Sequence, residues 1–403
     1  MSDTNQQGAG AAPVGSGSAA GSLPVLFEAL PTASGHFFGR VTLNAPASLN
    51  ALTLQMIDLI DAQLRAWADD AGVVGVVLDA AGEKALCAGG DVVALYRSML
   101  AARAAAPGSG GGSVAGIVPA EAAAFFEREY RLDYRIHRYP KPVLCWGHGI
   151  VMGGGIGLMS GASHRVATPK TRLAMPEIGI GLYPDVAGSW FLQRVPMRAG
   201  LFLALTGAPL NAADACFAGL ADFVLRHDDH DAVLQAIGAA RWRGEYGADA
   251  AGLSHLLQRI GSGVELPASP LRTHVDRIAD LVGHDQLDDI APRLAALAGD
   301  DDPWLANAAN AFIKGSPTSA ALSFEMQRRT RHASLADVFR LEFQASVGCC
   351  VHHDFAEGVR ALLVDKDRNP RWQPATLDAV TAQHVEAHLA PRFDGAHPLA
   401  DLG

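Results

Sequence analysis

A strand that runs into a glycine-rich turn constrains this chain more than any other feature of its sequence. Val143 to Trp146 is a short apolar run, typical of a buried strand, and Gly147 and Gly149 follow it. The sequence MGGG at 152–155 comes next and leads directly into a second apolar segment. A strand, a glycine turn and a helix start bring free backbone N–H groups to one point, where no Cβ blocks a ligand. Such a point favours an anion, or an oxygen that becomes one during a reaction.

Two carboxylates follow in the same part of the chain. Glu177 and Asp185 each come directly after a proline, and proline fixes the local direction of the chain. Acids held near backbone donors suggest acyl chemistry, in which the donors stabilise an oxyanion and the acids attack or move protons. The alternative is a tight glycine turn with Glu177 and Asp185 as solvated loop residues. Three glycines alone favour that alternative, whereas the three motifs together favour a site.

Composition excludes two classes of function. The 403 residues carry a net charge of −10 at pH 7, which argues against a nucleic acid as the main partner. No apolar run approaches the length of a membrane-spanning helix, so no membrane partner is expected. The cysteines lie mostly in apolar surroundings and are odd in number, which indicates reduced, packed thiols; they are Cys87, Cys145, Cys216, Cys349 and Cys350.

Two segments of low complexity are predicted to lie outside the core. Residues 1–22 are rich in Gly, Ala and Ser and contain no basic residue, which predicts a disordered tail. They have neither the pattern of a signal peptide nor the arginines of a mitochondrial presequence, so we expect a cytoplasmic protein. Residues 101–119 are Gly/Ser-rich in part and predict a mobile loop near the entrance of the site.

The remaining pattern indicates an α/β architecture. Short strands are predicted at VLFEAL and HFFGRVTLN, and Thr53 can cap a helix with one apolar face. Val73 to Leu78 is a continuous apolar strand, and the order strand–strand–helix recurs around 143–162 and 164–195. Alternation of this kind is typical of α/β folds.

The glycine and acid motifs together resemble a known family. GEKALCAGGDV, HGIVMGGGIGL and AMPEIGIGLYPDVAGSWFL resemble the crotonase (enoyl-CoA hydratase/isomerase) superfamily, and within it the 3-hydroxyisobutyryl-CoA hydrolases. The resemblance continues in SLADVFRLEFQ and HDFAEGVRALLVDKDRNPRWQP, so that it covers residues 25–225 and 312–375. It implies a crotonase-like spiral of ββα repeats with a helical C-terminal region.

This resemblance also suggests a division of the chain. We expect a crotonase-like core at 23–225, an inserted helical segment at 226–311 and a C-terminal helical region at 312–403. The inserted segment is Ala/Leu/Arg/Asp-rich with helical periodicity, and its role is not evident from the sequence.

The resemblance implies the substrate class and the site residues. The oxyanion-hole N–H groups would come from Gly90 and Gly154, and the substrate would be an acyl-CoA thioester. Glu177 would be the attacking carboxylate or the base for water, and Asp185 would orient substrate or water. Glu129, in the sequence EREY, matches a substrate-contact position of the family.

The acids decide among the reactions of the superfamily. Family hydratases carry a second glutamate two residues after the GGG, where this chain has Gly157, so the usual hydratase pair is incomplete. The pairing of Glu177 with Asp185 resembles the hydrolases. The implied reaction is therefore hydrolysis of 3-hydroxyisobutyryl-CoA, a step of valine catabolism. The alternatives are an enoyl-CoA hydratase or isomerase that uses Glu177 alone, and a non-catalytic scaffold.

The resemblance implies no cofactor, because CoA is part of the substrate. The clusters HDDHD at 227–231 and HHD at 352–354 have no spacing that favours a set of metal ligands, so no metal is expected. The family often has Lys or Arg near the CoA phosphates, where this chain reads LNAPASLN. The cations must come from elsewhere, with Lys84 and the sequence DKDR at 365–368 as candidates. A homo-oligomer is possible.

Overall fold

The structure is a computed structural model, and it describes residues 23–105 and 117–403. The tail expected at 1–22 and residues 106–116 of the expected loop lie outside the described residues. Within these ranges the chain forms strands β1 Val25–Pro31, β2 Phe37–Leu43, β3 Val73–Ala80, β4 Ala85–Cys87, β5 Val143–Gly147, β6 Ile150–Met152, β7 His164–Ala167, β8 Arg172–Ala174 and β9 Phe223–Val224.

Helices surround these strands and make up most of the C-terminal half. The helices of the first half are α1 Leu54–Asp69, α2 Val92–Ala104, α3 Ala120–His137, α4 Gly154–Ser160, α5 Gly188–Phe191, α6 Ala199–Thr206 and α7 Ala212–Phe217. Those of the second half are α8 His230–Ala239, α9 Tyr246–Ile260, α10 Pro270–Val282, α11 Leu287–Ala296, α12 Pro303–Lys314, α13 Pro317–Arg329, α14 Leu335–Val351, α15 His353–Val359 and α16 Ala382–Leu389.

The strands form two sheets, and from β3 to β9 the chain passes alternately from one sheet to the other. The larger sheet has the order β1-β2-β3-β5-β7-β9, and the smaller has the order β4-β6-β8. All neighbours are parallel except β1 and β2. Each repeat gives one strand to each sheet and then continues into helix or loop. The prediction of ββα repeats followed by helices is confirmed.

Burial on both faces explains why the central strands are apolar throughout. On β5, Val143 and Cys145 belong to the main core, whereas Leu144 and Trp146 face a second cluster that α8 and α9 cover. Helix α1 packs with Met56, Ile57, Ile60, Leu64 and Trp67 buried, and the Thr53 hydroxyl accepts from Met56 N at 3.2 Å. The predicted face and cap of α1 are therefore confirmed.

The helices within 226–311 pack in two places. Helices α8 and α9 cover the outer face of the large sheet, while α10, α11 and α12 join the main core beside α6 and α7. The division of the chain into core, insertion and C-terminal region stays a prediction. The expectation of a loop from residue 101 is wrong for 101–104, which belong to α2, because alanine and arginine favour helix there.

Two further observations concern the described residues. All five cysteines are free thiols; Cys216 is half-buried and the others are buried. None of the described helices combines the length and apolarity needed to cross a bilayer.

Candidate active site

The glycines of the two motifs come into direct contact. Gly89 and Gly153 both have a positive φ, +107° and +48°, and a Cβ on Gly153 would lie 3.5 Å from the Gly89 Cα. The loop after β4 is held in place by Leu52, whose N–H donates to Gly89 O and whose carbonyl accepts from Asp91 N, both at 2.8 Å. Only residues without side chains allow two backbones to approach this closely.

Both predicted oxyanion donors lie at this contact. Among the described residues, the N–H of Gly90 has no acceptor. Gly154 is the first residue of α4, so its N–H has no acceptor within the helix. Glu129 Oε1 lies 3.9 Å from the position of a Cβ on Gly90, and a Cβ on Gly154 would overlap the same oxygen. The structure therefore brings Gly90, Gly154 and Glu129 together around one point.

Glu177 reaches the same point from the other side. It starts a short 3₁₀ helix, Glu177–Ile180, directly after Pro176. Its Oε1 lies 3.2 Å from the position of a Cβ on Gly153, and its Oε2 has no hydrogen-bond partner among the described residues. A carboxyl group without a partner, beside two free N–H groups, is available for a substrate.

Asp185 begins a strained turn. The next two residues, Val186 and Ala187, have φ of 49° and 69°, although β-branched valine strongly disfavours this region. The Tyr130 hydroxyl donates to Asp185 Oδ2 at 2.6 Å. Glu177 and Asp185 are each only 5% exposed, so the alternative of two solvated loop acids is wrong.

The strained turn is held by a residue that the sequence analysis missed. Glu342 lies in α14 and accepts hydrogen bonds from Ala187 N at 2.8 Å and from Ser189 N at 2.9 Å. The Glu342 side chain is fully buried, and each of its oxygens holds one amide of the turn. The sequence gives little indication of this role, because Glu342 is a single acid within RLEFQ.

A second missed acid lies on α3. Phe125, Glu129 and Asp133 recur every four residues and therefore share one face of the helix. The Phe125 ring lies 2.9 Å from the position of a Cβ on Gly90, and Asp133 Oδ2 lies 2.8 Å from that of a Cβ on Gly157. This face of α3 therefore packs on the glycines of both motifs.

Burial dominates the electrostatics of these acids. It raises the pKa values of Glu129, Asp133 and Glu177 well above their ordinary range, and the charge of Asp185 adds to this effect. Burial raises the pKa of Glu342 to about 8. It raises the pKa of Asp185 only to about 6, because the Tyr130 hydrogen bond lowers it. Asp185 is therefore the acid of this cluster that takes up negative charge most readily.

No cation compensates this charge within the described part of the chain, where none of the five acids forms an ion pair with Lys, Arg or His. A cluster of neutral carboxyl groups with one ionised member can both donate and accept hydrogen bonds. This chemistry suits an uncharged acyl group whose carbonyl oxygen becomes negative.

The residues considered as CoA or metal ligands lie elsewhere. Lys84 is exposed just before β4, and Lys366 and Arg368 are exposed in a turn whose Asp365 and Asp367 pair with Arg360. Residues 227–231 form a helical turn and the start of α8 rather than an exposed loop. Among the described residues, no group of three His, Cys, Asp or Glu side chains could hold a metal ion.

The fold and this site define a class of protein. A family model described as enoyl-CoA hydratase/isomerase matches residues 38–389. The chain therefore belongs to the enoyl-CoA hydratase/isomerase family, and the predicted crotonase fold is confirmed.

Within this family the chain is similar to 3-hydroxyisobutyryl-CoA hydrolases. It is 37% identical to the mitochondrial enzyme of Danio rerio over 371 residues. The matched region covers 90% of this chain and 88% of that protein. It is 33% identical over 354 residues to the Homo sapiens enzyme, with coverage of 87% and 86%.

Solved structures with other activities share the fold. A carnitinyl-CoA dehydratase from Mycobacterium thermoresistibile is 39% identical with a TM-score of 0.77, over 92% of this chain and 97% of that one. An enoyl-CoA hydratase from Rhodobacter sphaeroides 2.4.1 is 35% identical with a TM-score of 0.73, over 91% and 97%. The fold alone therefore does not determine the reaction.

The Tyr130 hydrogen bond generates a prediction about pH. Tyr130→Phe removes the donor that lowers the pKa of Asp185, so this pKa should rise above 6. If ionised Asp185 is required, activity is lost as pH falls through this pKa. The fall in kcat/KM should therefore move to higher pH, by about one pH unit for a bond to a charged group. The pH profile of thioester cleavage measures this shift.

Tyr134→Phe is the matched control for this experiment. Tyr134 lies one turn later on α3 and makes no side-chain hydrogen bond within the described ranges. Its profile should match that of the wild type. If the pH profile of kcat/KM for Tyr130→Phe equals that of the wild type, the ionisation of Asp185 does not cause the loss of activity at low pH.

Proposed function

We propose that this chain is a thioester hydrolase that converts 3-hydroxyisobutyryl-CoA and water to 3-hydroxyisobutyrate and CoA, a step of valine catabolism. One observation carries the proposal. Glu177 and Asp185 are both buried in a cluster with the two glycine loops, while Gly157 leaves the second acid of a hydratase absent from its usual position. The identity of 33–37% to hydrolases of that name, over most of both chains, supports the same activity.

The glycine loops would act on the thioester carbonyl. With its oxygen between the N–H groups of Gly90 and Gly154, the carbonyl is polarised before any bond changes. Negative charge that develops on this oxygen is stabilised by donors already in place, in a site from which water is largely excluded. This step requires no movement of the two loops, because the contact between Gly89 and Gly153 already joins them.

Glu177 has two possible roles, and both use its carboxylate form, which burial disfavours in the free protein. As a nucleophile, its carboxylate bonds to the carbonyl carbon and the C–S bond breaks; the CoA sulfur then takes up a proton, and water hydrolyses the resulting anhydride. As a base, it takes a proton from water, whose oxygen forms the new C–O bond directly. In both schemes Asp185 orients the reacting group, and the products are the free acid and the CoA thiol.

An oxygen-isotope label in the Glu177 carboxyl would identify Glu177 as the nucleophile, whereas an unlabelled carboxyl is compatible with both roles. Repeated turnover in H₂¹⁸O places ¹⁸O in the Glu177 carboxyl if an anhydride forms and water attacks the acyl–enzyme at the glutamyl carbon. Under single turnover, attack at the acyl carbon places the label in the product by either route. Mass analysis of the peptide that contains Glu177 is therefore the informative measurement.

The other parts of the proposal concern the surroundings of the reaction. We propose that no metal or cofactor takes part besides the CoA of the substrate, and that Lys84 or the 365–368 turn binds the CoA phosphates. A cytoplasmic location and assembly as a homo-oligomer stay predictions.

A thiol-release assay tests the proposed reaction. The purified protein should release CoA thiol from 3-hydroxyisobutyryl-CoA, and EDTA should not change the rate. Glu177→Gln and Asp185→Asn keep the size of each side chain but remove its basicity, so each should lower kcat by about 10²–10⁴-fold. Tyr134→Phe should retain activity. Rapid hydration of crotonyl-CoA without thiol release would instead favour a hydratase, and inactivity on both would favour a scaffold.

A pair of substitutions at Gly154 isolates the backbone donor. Both Gly154→Ala and Gly154→Pro add a Cβ that displaces Glu129 Oε1, but only proline removes the N–H. Proline is compatible with the first position of a helix, so α4 should persist. The proline variant should be slower than the alanine variant by about 10²–10³-fold. Equal rates in two folded variants, checked by circular dichroism, would exclude this N–H from the oxyanion hole.

A further inference from the structure

Asp133 is a buried acid to which the proposed reaction gives no role. It lies in the interior of α3, is 0% exposed, and neither carboxyl oxygen has a hydrogen-bond partner among the described residues. Burying a polar group without a partner has a free-energy cost. A leucine at this position would avoid that cost, so the acid has no evident structural purpose.

The position of Asp133 connects it to the site. Glu129 packs against Gly154, and Asp133, one turn later on α3, packs against Gly157, one turn later on α4. Asp133 Oδ2 and Val186 Cβ are both 2.8 Å from the position of a Cβ on Gly157. Val186 directly follows Asp185, so the Asp133 carboxyl and the turn that carries Asp185 both pack on Gly157. The absence of a side chain at Gly157 leaves room for it.

The contacts of Glu129 with Gly154 and of Asp133 with Gly157 mark two points along the site. Three residues of α4 separate Gly154 from Gly157, which corresponds to about 4.5 Å at 1.5 Å per residue. In an acyl-CoA, the third carbon is two carbon–carbon bonds of about 1.5 Å from the carbonyl carbon. A hydroxyl on that carbon is therefore offset from the carbonyl by a distance comparable to the offset of Gly157 from Gly154, which is the offset that a contact with Asp133 would require.

We propose that Asp133 is a specificity-determining residue that binds the hydroxyl group on the third carbon of the acyl chain. Its carboxyl accepts one hydrogen bond from this hydroxyl and donates another to it. The inference rests on the proposed hydrolase function and names the part of the substrate that the site recognises. The two oxygens without partners in the free protein gain them when the substrate binds.

The protonation of Asp133 fits this role. Burial, and next the charge of Glu129, raise its pKa well above the ordinary range. This shift favours the neutral form, which presents one O–H donor with acceptor capacity on both oxygens. A neutral hydroxyl requires such a partner. An acyl group without the hydroxyl would leave Asp133 buried and without a partner, and sites of this kind discriminate strongly against such analogues.

The test compares two thioesters that differ only in this hydroxyl. Values of kcat/KM for 3-hydroxyisobutyryl-CoA and isobutyryl-CoA are measured by thiol release in the wild type, Asp133→Asn and Asp133→Leu. The wild type should prefer the hydroxylated substrate by at least 10²-fold. Asp133→Asn, which still donates and accepts, should keep this preference within tenfold. Asp133→Leu should lower it to less than tenfold, mainly through KM.

Three results would overturn the inference. They are a wild type with no preference, a folded Asp133→Leu that loses activity equally on both substrates, and an Asp133→Asn as impaired in the preference as Asp133→Leu. Tyr134→Phe, at the adjacent position, is the control and should leave the preference unchanged.

Binding measurements keep this test separate from the proposed reaction. In a Glu177→Gln background, calorimetry gives the affinity of both intact thioesters with and without the Asp133 substitutions. Should the wild type release no thiol, the proposed hydrolysis fails, yet the ratio of the two affinities still supports or overturns the role of Asp133. If Asp133→Leu does not fold, Asp133→Val and Asp133→Ala take its place in the same comparison.

Discussion

The site depends on the approach of other backbone and side-chain atoms to the glycine face of α4. A Cβ on Gly155 would lie 2.5 Å from the Cys87 carbonyl, and one on Gly153 would meet both Gly89 and Glu177. Glycine costs a helix about 1 kcal/mol per residue relative to alanine, yet α4 contains three glycines, Gly154, Gly155 and Gly157. Because no side chains intervene, the loop after β4 and helix α3 both pack directly on α4. The positions of Glu129 and Asp133 in the site follow from this contact.

The second constraint is electrostatic. Carboxylates of the same charge cannot all ionise in a small buried volume without cations, so protons remain on most of them. The Tyr130 hydrogen bond lowers the pKa of Asp185 and so favours its ionised form. The two amides that donate to Glu342 lower its pKa in the same way. Burial favours the neutral form of Glu129, Asp133 and Glu177 in the free protein. The site therefore consists mainly of carboxyl groups that favour the neutral form, and Asp185 is the member that takes up negative charge most readily.

Much of this arrangement follows from the sequence, and the reasons for the rest are physical. The helical spacing of apolar residues predicted α1, and short apolar runs predicted the strands. The motifs around Gly90, Gly154, Glu177 and Asp185 predicted residues that the structure places together. Glu342 and Asp133 could not be predicted, since each is one acid on a helix and only tertiary packing shows which side is buried. The same limit applies to 226–311, where helical periodicity does not reveal which face of the protein each helix covers.

The bond between Glu342 and Ala187 joins positions 155 residues apart in the chain. Contacts of such separation form late in folding, because a long loop must close before they contribute. The turn after Asp185 is strained, and although Gly188 N donates to Asp185 O at 2.6 Å within it, the amides of Ala187 and Ser189 gain their acceptor only when α14 docks. Catalytic competence is therefore a property of the completed chain. After dilution from denaturant, thioester cleavage would return later than the circular dichroism of the sheets, and a newly synthesised chain would stay inactive until its last helices had docked.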